Sequence, residues 1–206
     1  MALVATTAAG AFPPLYDAPI TPAPPASLPI VAIQPLGGID AARVNTVAAC
    51  LERNFAVRVM ILPARPLPRS AFYRPRRRYR GERLLAWLDS HRPARASKIL
   101  GLMSSDLSAT KGPVYDWGIM GVANLSGHAG VVSEYRLGRH NAPASVVARR
   151  IRQVALHELG HTLGLPHCRA PHCIMNDAEG GIGAVDESSG AFCPDCREKL
   201  KGLLRD

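Results

Sequence analysis

His157-Glu158-Leu159-Gly160-His161-Thr162-Leu163-Gly164-Leu165-Pro166-His167 is the stretch from which the rest of the chain can be read. On a helix, residues four apart share one face, so His157 and His161 aim two imidazoles at one point. Glu158 follows His157 directly and reaches the same point from the side. The helix then has to stop, or a third ligand would be carried away. Gly164 suits the left-handed residue after a helix end, and Pro166 cannot continue the helix. Leu165, preceding a proline, is pushed out of the helical region. The chain turns back and His167 closes a three-histidine site. Three protein ligands leave a fourth tetrahedral position for water, the ligand count of a catalytic zinc. A buried helix with incidental histidines accounts for two of them, but not for Glu158, Gly164 and His167 together.

The bulk properties set the frame. The chain has 206 residues, enough for one sizeable core. It is 47% hydrophobic and 20% charged, the composition of a globular protein. Its formal charge of +9 and pI near 9.8 admit acidic partners. The first basic residue is Arg43, so the N-terminus lacks the charged region of a secretory signal. No apolar run approaches the roughly 20 residues that cross a bilayer. A cytoplasmic protein is expected, and the five cysteines agree, since four are spaced for metal.

Residues 1–29 are rich in Ala, Pro and Thr, with Pro13-Pro14, Pro19, Pro22 and Pro24-Pro25. Proline neither continues a helix nor donates to a ladder, so a loosely ordered lead-in is expected, with Phe12, Leu15 and Tyr16 free to dock locally. Residues 30–206 are expected to form a single domain. The apolar run 29–34 predicts a buried strand and Gly37-Gly38 a turn. Asp40 caps a predicted helix over 41–54 that buries Val44, Val47, Ala48 and Leu51. Cys50 in that helix reads as a small core residue and not a nucleophile. Residues 55–62 predict a second strand.

The run Phe72-Tyr73-Arg74-Pro75-Arg76-Arg77-Arg78-Tyr79-Arg80 interleaves aromatic and basic side chains, a pattern that suits nucleic acid. The preferred reading is a solvated loop, because charge runs usually face water. It leads into a predicted helix over 81–91 with Leu84, Leu85, Trp87 and Leu88 inside. Residues 97–103, 118–125 and 129–137 predict strands, the last two joined by Ser126-Gly127-His128, with His128 a turn residue. Glu134 is a further candidate carboxylate for the site. This order predicts an α/β (α+β) mixed sheet with a parallel part and an antiparallel edge. The longest helix is predicted over 142–163, capped by Asn141, with Pro143 in its first turn. Its core side holds Val146, Val147, Ile151, Val154 and Ala155, and its wet side Arg149, Arg150 and Arg152. His157 and His161 thus lie on a rigid element.

A second cluster follows. Cys168 comes directly after His167, then Cys173, Met175 and Cys193-Pro194-Asp195-Cys196. Two cysteine pairs, one of them C-x-x-C, have structural-zinc spacing, and four thiolates leave no open position. Disulfides or a redox pair are the competing reading, and His172 is available to replace one sulfur. Residues 194–204 predict a short helix with Leu200, Leu203 and Leu204 facing the body.

The run 157–196 resembles the archaemetzincin family of metzincin zinc metallopeptidases. The residues that carry the resemblance are the zinc motif, then Cys168, Cys173, Met175, Cys193 and Cys196, and the segments 118–137 and 73–80 look similar too. The resemblance implies a metzincin-like twisted sheet with an active-site helix beneath it, a methionine turn, and a structural four-cysteine zinc site. Met175 would form an apolar floor under the histidines. Two Zn2+ ions are implied, a catalytic one on His157, His161 and His167 and a structural one on Cys168, Cys173, Cys193 and Cys196. The implied reaction is peptide-bond hydrolysis by a zinc-bound water with Glu158 as general base, on an extended substrate paired to the edge strand near 121–132. Some metzincins place a tyrosine after the methionine. Asn176 and Asp177 follow here, so no such residue is assigned. The expected partner is a peptide or protein substrate, met by a monomer, and neither nucleic acid nor a membrane. The alternative is a zinc-stabilised binding protein for nucleic acid or protein, with an occluded or weakly active site. The open ligand position and Glu158 speak against it.

Overall fold

The structure, a computed structural model, describes residues 28–203. The expectation for residues 1–27 therefore lies outside the described residues. One sheet organises the rest. Its strands are β1 (Ile30–Leu36), β2 (Arg58–Ile61), β5 (Lys98–Met103), β8 (Gly121–Ala123) and β9 (Ala129–Ser133), in the order β2-β1-β5-β9-β8. The first four in that order are parallel, and β8 runs antiparallel to β9 at the edge. This is the mixed sheet that the element order predicts.

Helices cover both faces, because the central strands alternate two apolar sets. Val31, Ile33, Leu100, Leu102 and Val132 point to one side. There they meet α1 (Ala41–Asn54) and α3 (Ala144–Thr162). Ala32, Leu36, Ile99, Met103 and Val131 point to the other side and meet α2 (Gly81–Ser90). Asp40 caps α1 as expected, its carboxylate accepting the Arg43 N–H at 3.0 Å. Cys50 is buried in the first core, and burial pushes its thiol up, which suits a packing residue.

A second, four-stranded sheet accounts for most of the differences from expectation. Its strands are β3 (Phe72–Tyr73), β4 (Arg78–Arg80), β6 (Leu107–Lys111) and β7 (Val114–Ile119). The arginine run is not a solvated loop throughout. Arg80 is only 2% exposed and sits over the Tyr115 ring, with Glu82, Thr110 and Asp116 around it. Arg78 reaches Asp106 at 3.2 Å and Asp116 at 3.5 Å. Asp106 and Asp116, distant in sequence, thus draw two of the charges inward. The strand predicted over 118–125 is instead the junction of two sheets, β7 ending at Ile119 and β8 starting at Gly121 around buried Met120. β6 has no sequence-level counterpart, and the strand predicted over 129–137 stops at Ser133.

The long helix also starts differently. Asn141 does not cap it. Its φ is +52°, and α3 begins at Ala144 after Pro143, with no side-chain cap bond. Pro143 keeps the preceding Ala142 extended (ψ 133°), which moves the helix start downstream. Arg150 is not on a wet side. It is buried, grips Asp186 through Nε and Nη2 at 2.9 and 2.6 Å, and donates to the Leu137 carbonyl. Asp186 lies on α4 (Ile182–Glu187), a short helix not foreseen. In α5 (Pro194–Leu203) Leu200 is buried but Leu203 is exposed, since one turn of this terminal helix faces the body. Leu204 lies outside the described residues.

Candidate metal centres

α3 ends as its sequence requires. Gly164 has φ +97°, its N–H donates to the His161 carbonyl at 2.9 Å, and the Leu165 N–H donates to the Gly160 carbonyl at 3.0 Å. These two bonds are a Schellman closure, which only a residue tolerant of positive φ completes cheaply. Lys98 from β5 adds its ammonium to the Thr162 carbonyl at 2.7 Å and so fixes the helix end to the sheet. The reversal brings His167 back, and the three histidines offer ligand atoms within 4.8 Å of one another.

The hydrogen bonds decide which nitrogens face inward. His157 Nδ1 lies 2.7 Å from the Ile174 carbonyl and His161 Nδ1 2.7 Å from the Leu165 carbonyl. A carbonyl only accepts, so each Nδ1 carries the proton and each Nε2 a lone pair. Those two Nε2 atoms are 2.9 Å apart. Two lone pairs cannot bond each other, so the point between them calls for a cation. A tetrahedral zinc with nitrogens at about 2.0 Å has an edge of about 3.3 Å, close to this spacing. Burial, then the neighbouring imidazoles, depress the His157 pKa to about 4, so the ring is neutral and ready to ligate.

His167 differs from the other two. It lies past the helix and is exposed, and its Nδ1 faces no backbone carbonyl but the Asp177 carboxylate, at 3.7 Å. The other Asp177 oxygen accepts the Glu179 N–H at 2.8 Å, which holds the carboxylate in place. Burial pushes the Asp177 carboxyl up, but that N–H and the neighbouring His167 more than offset it and hold it below its ordinary value. Nothing in the spacing of the zinc motif points to Asp177.

Glu158 is 5% exposed and lines the same cleft as the histidines. Burial alone pushes its carboxyl up to about 8. Met175 is fully buried, and a Cβ at Gly160 would meet its sulfur at 2.8 Å, so the thioether packs against the helix that carries His157 and His161. The cleft has a volume of ≈ 350 Å³. β7 and β8 form one wall, with Trp117 and Gly121, and α3 with the segment 176–188 forms the other. Glu134 is not among its lining residues and pairs instead with Arg43 at 3.1 Å. His128 is a turn residue whose Nδ1 lies 3.2 Å from the Ser97 carbonyl.

The four cysteines form the second centre, again with sulfurs within 4.8 Å of one another. Cys168 and Cys193 are 3.7 Å apart, and Cys173 and Cys196 3.9 Å. A disulfide needs about 2.05 Å. A zinc tetrahedron with Zn–S of about 2.3 Å has an edge of about 3.8 Å, which these spacings match. The Ala170 and Cys193 N–H groups donate to sulfur, as a thiolate cluster needs. His172 does not replace a sulfur: the clustered ligand atoms are the four sulfurs alone, and its Nδ1 lies 2.8 Å from the Glu187 carbonyl. The Cys168 N–H donates to the Met175 carbonyl at 2.8 Å, so the sulfur cluster, the methionine turn and His167 are one connected piece.

A mixed sheet lying over a helix with two inward histidines, a third from the following turn and a methionine beneath them defines a metzincin-like metallopeptidase. Residues 68–202 match the model of peptidase family M54, and the chain belongs to that family. The archaemetzincin of Archaeoglobus fulgidus is 31% identical over 169 residues, which cover 82% of this chain and 97% of the relative. That of Haloquadratum walsbyi is 29% identical over 178 residues, covering 83% and 99%. Among solved structures, archaemetzincin from Methanopyrus kandleri superposes with a TM-score of 0.76 at 27% identity, covering 89% of this chain and 99% of its own. The A. fulgidus protein complexed with malonate gives 0.70 at 30% identity, covering 82% and 99%. No helix among the described residues is long and apolar enough to cross a membrane.

Proposed function

We propose that the chain hydrolyses peptide bonds with one zinc ion on His157, His161 and His167 and Glu158 as general base, while a second zinc on Cys168, Cys173, Cys193 and Cys196 holds the loop. The observation that carries this reading is the pair of Nε2 atoms on His157 and His161 facing each other at 2.9 Å, with both Nδ1 atoms on backbone carbonyls. When bound there, zinc supplies Lewis acidity that lowers the pKa of water to about 7 and polarises a carbonyl.

The chain's own residues do the rest. Glu158 follows a ligand on the same helix and opens on the cleft, so it takes a proton from water and later passes it to the departing amine. A cation beside it favours its ionised form against the burial that raises its pKa. β8 is the edge strand of the five-stranded sheet that lines the cleft, so its backbone at Gly121 to Ala123 suits an extended peptide added as a further strand. Four sulfurs on one zinc would leave no coordination position for substrate, so the cysteine cluster acts through position, with Cys168 directly after His167. Both sites come from residues 157–196, which supports 30–206 as one catalytic domain working as a monomer. Four free thiols spaced for metal suit a reducing, cytoplasmic setting.

The test is Glu158→Ala in zinc-loaded protein. Two zinc equivalents are retained and cleavage of a peptide library falls at least about 10²-fold. Full turnover in that variant overturns the assigned base.

A further inference from the structure

The positive excess of this protein is concentrated in one segment. Residues 58–95 hold eleven arginines and no lysine, against Glu82 and Asp89, a balance of +9 that equals the whole chain's. Everything outside the segment sums to zero. None of these arginines lines the cleft. Arg76, Arg78, Arg80 and Arg92 face carboxylates. The other seven are exposed and have no carboxylate within 4.0 Å among the described residues. Like charges gathered this way repel one another and destabilise the fold, so the concentration calls for a partner.

Part of the segment is already shaped. Arg65 and Arg69 share a groove of ≈ 500 Å³ with Leu67, Trp87 and His91, between the β2–β3 connection and α2. Arg83 lies one turn before Trp87 on α2 and donates to the carbonyl of Ser70, next to Arg69, at 3.1 Å. Trp87 and His91 stack with ring centroids 4.0 Å apart and planes at 22°. His91 Nδ1 lies 2.8 Å from the Trp87 carbonyl and 3.0 Å from Ser90 Oγ, so the outer, exposed ring is held in place. Guanidinium forks match phosphate oxygens in pairs, and a fixed ring stack accepts a base face. A bilayer would need an apolar wedge, and Ile61 is the one exposed large apolar side chain that falls in this segment among the described residues.

We propose that this face binds single-stranded nucleic acid, with phosphates on Arg65, Arg69 and Arg83 and a base on the His91–Trp87 stack. The site is separate from the cleft and does not depend on peptide hydrolysis. The arginines predicted from sequence as the basic run are not its centre, since Arg78 and Arg80 are committed to Asp106, Asp116 and Glu82.

Fluorescence anisotropy on the full zinc-loaded chain tests it, using labelled single strands of about a dozen nucleotides, DNA and RNA. Three phosphate contacts predict a loss of roughly 20-fold in affinity between about 50 and 200 mM salt. Arg65→Gln with Arg69→Gln weakens binding at least about tenfold and lowers the salt slope by about 1.4. His91→Ala weakens it about fivefold or more with the slope unchanged. All variants keep peptide cleavage and none melts below the wild type, as the side chains are on the surface and losing like charge relieves repulsion. Absence of binding at low salt overturns the proposal. So does equal binding of poly-glutamate with no effect of His91→Ala, which assigns the face to acidic polypeptides.

Discussion

The carboxylate of Glu158 occupies the space that a side chain at Gly121 would fill: a Cβ there would lie 2.5 Å from Oε1. The edge strand and the buried acid are therefore matched across the cleft. Gly121→Ala forces Glu158 aside while leaving the histidines alone. Turnover is expected to fall about tenfold or more, with KM little changed and both metals retained. Steady-state kinetics beside elemental analysis check this, and unchanged turnover would remove the assigned contact.

The same burial gives the metal-stripped protein a pH signature. Glu158 has its folded pKa raised from 4.5 to about 8, so its contribution to stability is full below about 4.5 and is lost as pH rises towards 8. The loss is on the order of a few kcal/mol. His157 runs the opposite way. Its pKa is depressed to about 4, so it costs stability as pH falls below 6.5. Glu158→Gln removes only the first effect. Denaturant melts of wild type and variant should converge near pH 4.5 and separate towards pH 8, with the variant the more stable.

Asp177 is expected to steady His167. Asp177→Asn removes the charge facing Nδ1 and weakens zinc at the histidine site by about 10–100-fold. The cysteine site keeps its metal. Chelator competition that reads the two zinc equivalents separately decides the matter, and parallel release from both sites would count against it.

Arg150 and Asp186 hold α4 against α3 and so shape one wall of the cleft. Arg150's hydrogen bonds keep the Asp186 carboxyl below its ordinary value despite burial. That contribution is present above about pH 3.9 and lost as pH falls through the depressed value. Asp186→Asn leaves a buried guanidinium half-paired. Because Asp186 is about one-third exposed, the cost is set at about 1–3 kcal/mol, read as a lower melting temperature at pH 7.

On the proposed two-zinc reading, the histidine and cysteine centres should differ in what they support. Cys193→Ser opens a cluster that joins the 168–176 loop to α5, whereas His161→Ala leaves the helix intact. The cysteine variant is expected to melt well below the histidine variant. Equal melting temperatures for both and wild type would dismiss a structural role for the sulfur site.

By itself, the sequence determined the parts whose cause is local. Helical spacing sets His157 and His161 on one face, Gly164 and Pro166 end the helix, and Asp40 caps α1, because each depends on backbone preferences within a few residues. The short apolar run 29–34 likewise predicts the buried strand β1. Only the tertiary structure decided what distant segments do to one another. Arg78, Arg80 and Arg150 look solvated until Asp106, Asp116 and Asp186 are brought to them, because a charge is buried only where a partner offsets its lost hydration. Met120 looks like the middle of a strand until two sheets claim its two sides. Gly121 and Asp177 carry no sequence signal, since what matters at each is the atom that packing places opposite it.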